Sequence, residues 1–179
     1  MNEFELLAHH LQRNRVTRRQ VLWLFGAGVV GGLSGCASSP VGGGSILVGM
    51  SEDEEKAVDR KVAPQQFSQD LGALQDPAIN RYVSEVGQRL DDKVHRPQMP
   101  YSYRVLNANY VNAYTFPGGA MGVTRGILVE LDNEAELAAL LGHELGHVNA
   151  RHAAQRQGQA MVAQVAVAGA SIVASTSEW

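Results

Sequence analysis

Apolar positions recur along this chain with two periods, and the switches between them outline the architecture. Ser51 with Glu54 three residues on forms a capping box, which predicts a helix running through Lys61. Pro64 is expected to break or re-aim that helix. Asp76 before Pro77 reads as an N-cap with proline at the first helical position. Ile79, Tyr82, Val83, Val86 and Leu90 then keep helical spacing and are expected to face a core. After Pro100 the period falls to two. Tyr101–Leu106 alternates like a half-buried strand, and Val111–Phe116 and Ala120–Thr124 flank a Pro117-Gly118-Gly119 turn. Helical spacing returns at Leu137, Leu140, Leu141, Leu145 and Val148, behind a start signal at Asn133 and Glu136. This helix is expected to continue through Arg151, His152 and Arg156. Ala160–Ala174, rich in Ala and Val, predicts a buried or interfacial helix too short for a membrane span, which needs about 20 residues. Helices, then a small antiparallel sheet, then a helix: the order predicts an α+β fold.

Composition narrows the class without naming a chemistry. The 179 residues are 45% hydrophobic and 18% charged, enough for one domain with a real core. A net charge of −3 with no basic helix face excludes a nucleic-acid partner from the expectations. The one cysteine, Cys36, excludes an internal disulfide and a cysteine-based metal site.

The first 36 residues read as an export signal. A polar head ends at Arg18-Arg19, an uncharged apolar run spans Val21 to Leu33, and Leu33-Ser34-Gly35-Cys36 follows. That tetrapeptide resembles the bacterial lipoprotein signal, which implies cleavage before Cys36 and a lipid on its thiol. Ala37, rather than Asp, follows the cysteine; by the same resemblance this points to the periplasmic side of the outer membrane. Thr17-Arg18-Arg19-Gln20-Val21-Leu22 resembles a twin-arginine motif, with Val21 where an aromatic is usual, so the export route stays open. Residues 37–50, rich in Ser, Gly and Pro, are expected to form a flexible tether ahead of a domain over 51–179.

The chemistry concentrates in His143-Glu144-Leu145-Gly146-His147. Two imidazoles four residues apart on a helix share a face within reach of one zinc ion, and Glu144 beside them is placed as a general base. Gly142 and Gly146 each weaken the helix by about 1 kcal/mol relative to Ala. A strand or substrate crossing beside the metal accounts for them; tight helix packing is the alternative. His152 lies about 140° round a continuous helix from His147, so it is expected on the surface or packed near the site rather than on the ion. His95, isolated beside Pro97, reads as a surface residue.

The motif has company. Asn112-Ala113-Tyr114-Thr115-Phe116-Pro117-Gly118-Gly119, Val123-Thr124-Arg125-Gly126-Ile127-Leu128, Glu134 through Val148, and Ala150-Arg151-His152-Ala153-Ala154-Gln155 stand together. This combination resembles the zinc metallopeptidase family of the CAAX prenyl protease, HtpX, the mitochondrial Oma-type protease and periplasmic quality-control lipoproteins. The resemblance covers roughly residues 50–160. It implies a zincin-like fold of the gluzincin type, and endopeptidase activity on misfolded or misassembled envelope proteins. It further implies one Zn²⁺ held by His143 and His147, with Glu144 catalytic. The strand carrying Tyr114, Phe116, Gly118 and Gly119 is expected either to pair with an extended substrate or to be an ordinary sheet member. The family's third ligand is a glutamate on a later helix. Glu178, the only acid after Glu144, lacks that family context, so the domain is expected to lack its C-terminal part. A non-catalytic, chaperone-like role with an incomplete zinc site is the alternative.

Overall fold

The computed structural model describes residues 35–176; Glu178 and, up to residue 34, the stretch 1–36 expected as an export signal lie outside the described residues. Two short strands, β1 (Cys36–Ser38) and β2 (Ser45–Leu47), pair antiparallel. The stretch expected as a flexible tether is therefore a hairpin. It is tied down by Gly49, whose N–H donates to the Ala154 carbonyl at 2.8 Å. Cys36 is exposed on it.

Helix α1 (Glu52–Gln69) starts on the expected capping box, with Ser51 and Glu54 exchanging side-chain-to-backbone bonds. It does not end before Pro64, which lies inside it. Pro64 faces solvent, so the carbonyl it leaves without a partner meets water, while Ala63 is buried and holds the turn. Helix α2 (Pro77–Asp91) opens on Asp76, whose carboxylate accepts the Ala78 and Ile79 N–H groups. Val83 and Val86 are buried as expected, whereas Ile79 and Tyr82 are exposed.

Strands β3 (Ser102–Leu106), β4 (Ala113–Thr115) and β5 (Ala120–Thr124) form one sheet in the order β3-β5-β4. The fold is α+β, consistent with a zincin-like domain, but the sheet is mixed rather than antiparallel throughout. β4 pairs antiparallel with β5, while β3 pairs parallel with it. The reason is visible in β5. Met121, Gly122, Val123 and Thr124 are all buried, the pattern of a central strand covered on both faces. On one face α2 and α4 (Glu134–Asn149) pack Val83, Val86, Leu137, Leu141, Leu145 and Val148 against Tyr103, Val105, Met121 and Val123. On the other, Phe67 of α1 meets the Tyr114 and Phe116 rings at centroid distances of 6.2 and 5.8 Å. A short helix, α3 (Arg125–Leu128), links β5 toward α4.

Helix α4 does not run on through His152. It closes at Ala150, Arg151 adopts a left-handed conformation (φ 57°), and α5 (His152–Thr176) leaves in a new direction. Residues 161–168 of α5 are exposed, so burial of that apolar stretch is not realised among the described residues. No described helix is long and apolar enough to cross a membrane.

Candidate metal centre

Asn133 caps α4 by accepting the Glu136 N–H, and the leucines behind the helix fix its rotation. That rotation turns His143 outward, leaves His147 half-buried, and buries Glu144 to 8% exposure. The two rings converge: Nε2 of His143 and Nε2 of His147 stand 3.2 Å apart. Two nitrogens bound to one tetrahedral zinc at about 2.05 Å would be separated by about 3.3 Å. The pair therefore fits the ion. Ligand atoms of His143, Glu144 and His147 all lie within 4.8 Å of one another, and this is the one such cluster among the described residues. Burial pushes the Glu144 carboxyl above the usual carboxylate range, against a smaller pull from His143. Burial lowers the His147 imidazole, helped by the charges of His143 and Arg156, which favours the neutral form a metal needs.

A cleft of about 240 Å³ opens beside these groups, walled by Ala113–Pro117 on one side and by Glu144, His147, His152 and Arg156 on the other. β4 is a sheet edge, and its hydrogen bonds alternate. Phe116 N–H donates to Ala120 and Thr124 N–H donates to Asn112, so 112, 114 and 116 pair with β5. Ala113 and Thr115 therefore direct their N–H and C=O groups to the open edge. The other residues expected on a substrate strand have different work. The Tyr114 hydroxyl bonds Asp70, and Phe116 packs on Tyr114 and Phe67. Gly118 N–H donates to Asp59 of α1 at 2.6 Å, and Gly119 turns the chain at φ 105°.

Gly142 and Gly146 meet nothing within 4 Å of where a Cβ would stand. Tight helix packing is thus not their reason, and among the described residues no strand crosses them.

His152 is exposed and packs near the site as expected, but not on a continuation of α4. Because the helix breaks at Arg151, the His152 ring swings back, and its Nδ1 lies 2.7 Å from Nδ1 of His147. No glycine marks the break. Its cause is a buried ion cluster: Arg151 reaches Glu55 of α1 and the Met50 carbonyl, and Arg96 bonds the same Glu55 at 2.6 Å. Glu55, 96 residues away in the chain, carried no signal of this beyond being an acid in a helix's first turn.

Two converging imidazoles and a buried carboxylate stand beside an open sheet edge, an arrangement that could hold a metal ion. The chain belongs to peptidase family M48, whose model matches residues 77–179, more than half of it. It is 30% identical over 82 residues to a putative beta-barrel assembly-enhancing protease of Vibrio cholerae, covering 46% of this chain and 17% of that one. To the beta-barrel assembly-enhancing protease of Yersinia pestis it is 31% identical over 113 residues, covering 60% and 23%. To the mitochondrial metalloendopeptidase OMA1 of Schizosaccharomyces pombe it is 29% identical over 141 residues, covering 75% and 42%. The chain thus spans less than half the length of each of these relatives.

Proposed function

We propose that this chain is a zinc-dependent metalloendopeptidase. It is anchored by lipid at Cys36 on the periplasmic side of the outer membrane and cleaves misfolded or misassembled envelope proteins. The observation that carries the catalytic reading is the 3.2 Å convergence of the two Nε2 atoms next to buried Glu144. The names of the bacterial relatives and the exposure of Cys36 support the envelope setting.

His143 and His147 would hold the ion through Nε2. When bound there, the ion would supply Lewis-acid polarisation to the scissile carbonyl and to the attacking water. An extended peptide lies along β4, exchanging hydrogen bonds with the outward backbone of Ala113 and Thr115. Glu144 takes the proton of the attacking water as its oxygen bonds the carbonyl carbon. It then returns that proton to the amine nitrogen as the C–N bond breaks.

The test is zinc content of the purified chain together with casein cleavage with and without chelator. Glu144→Gln is expected to retain zinc and lose at least about 100-fold in cleavage. Cleavage by that variant with zinc bound would remove Glu144 from the mechanism. A chaperone-like binding role is the second reading, favoured by there being two histidines and no further ligand than Glu144 among the described residues. It predicts binding of unfolded protein without zinc retention or cleavage.

A further inference from the structure

The His147–His152 contact has a consequence for which nitrogen of His147 is free. A neutral imidazole carries one proton, and the partner at one nitrogen decides where it sits. His147 Nε2 faces His143 Nε2, and His147 Nδ1 faces His152 Nδ1 at 2.7 Å. We propose that His152 is a positioning residue. Its Nδ1 accepts the Nδ1–H of His147, which holds that ring in the tautomer with a bare Nε2 lone pair aimed at the metal centre. The left-handed turn at Arg151, clamped through Glu55, is the device that sets His152 there.

Three observations carry this. On a continuous α4 the residue-152 ring would point about 140° away from His147, so the contact exists only because the helix breaks. The break sits at a non-glycine residue with φ 57°, a conformation that persists only where surroundings enforce it. Those surroundings are specific: Arg151 Nη2 donates to the Met50 carbonyl at 2.7 Å and lies 3.3 Å from Glu55 Oε2, with Glu55 fully buried. Partners behind a metal-binding imidazole commonly alter metal affinity by about 10–100-fold.

The inference deepens the zinc reading and rests on it for its effect on affinity, but the tautomer can be read on the metal-free chain. Long-range ¹H–¹⁵N spectra of that chain at neutral pH are expected to show His147 protonated on Nδ1. His152→Ala is expected to shift His147 toward the Nε2-protonated form and to weaken zinc about 10–100-fold in chelator competition. His152→Asn, whose carboxamide oxygen can stand where Nδ1 does, is expected to restore both the tautomer and most of the affinity. An Nε2-protonated His147 in the unmodified chain, or an unchanged tautomer and zinc affinity in His152→Ala, would overturn the proposal. Failure of the unmodified chain to bind zinc would instead sink the metallopeptidase reading, leaving the tautomer to decide this one.

Discussion

The two ends of α4 are held by opposite physics. At its start and along its back, Leu137, Leu141 and Leu145 sit among Val83, Val86, Val105 and Val123, a dry apolar contact. At its C-terminal end, Asn149 Oδ1 accepts the N–H groups of His95 and Arg96, and Arg96 donates to the Val148 carbonyl. There Glu55 lies between Arg96 and Arg151, all three buried. Apolar packing is non-directional, so it sets where the helix lies and tolerates changes of shape. Hydrogen-bonded charges are directional, so they set the angle at which the chain leaves the helix. The candidate metal centre uses both: leucines aim His143 and Glu144, and ions aim His152.

The sharpest way to break this comparison is a pair of volume-conserving swaps. Glu55→Gln leaves two buried guanidinium groups without their shared counter-charge and is expected to cost about 3 kcal/mol or more. Leu141→Met at the apolar end is expected to cost less than about 1.5 kcal/mol. Urea midpoints measure both; equal losses would show that the two ends do not differ in kind.

A smaller effect tests how the edge strand is held. Burial raises the Asp70 carboxyl, but hydrogen bonds from Tyr110, Tyr114 and Gln66 outweigh it and hold the group below the usual range. Because the folded value is depressed, the ionised form stabilises the fold above the unfolded value near 3.8, and that contribution is lost as pH falls through the lower folded value. Asp70→Asn is expected to cost about 1–2 kcal/mol at pH 7. The gap from the unmodified chain should shrink in denaturant melts taken below about pH 4.

The smallest expected effect has the opposite sign. A Cβ at Gly146 meets open space, so Gly146→Ala should raise stability by up to about 1 kcal/mol, read as a higher denaturant midpoint. If cleavage falls while stability rises, the space beside Gly146 belongs to the substrate.

Local signals were enough for much of this protein. The caps at Ser51, Asp76 and Asn133 each bind the backbone the residue spacing assigns to them, because capping reaches only three residues along the chain. Ala120–Thr124 is a strand over the expected range. The convergence of His143 and His147 follows from one helical turn, so the pair was legible wherever that helix packs.

Other features needed partners distant in sequence. β5 lies between β3 and β4 with both of its faces covered, a fact about the helices and rings packed on it as much as about β5. Residues 36–47 fold into a hairpin, and Ala154 of α5 holds Gly49 beside it. The bend at Arg151 exists because an acid 96 residues earlier is buried beside it. The sequence by itself determined the helix that carries the reactive groups, since periodicity and capping are local. Only the tertiary structure decided what stands behind His147, since a left-handed arginine is stable only inside contacts that the folded chain brings together.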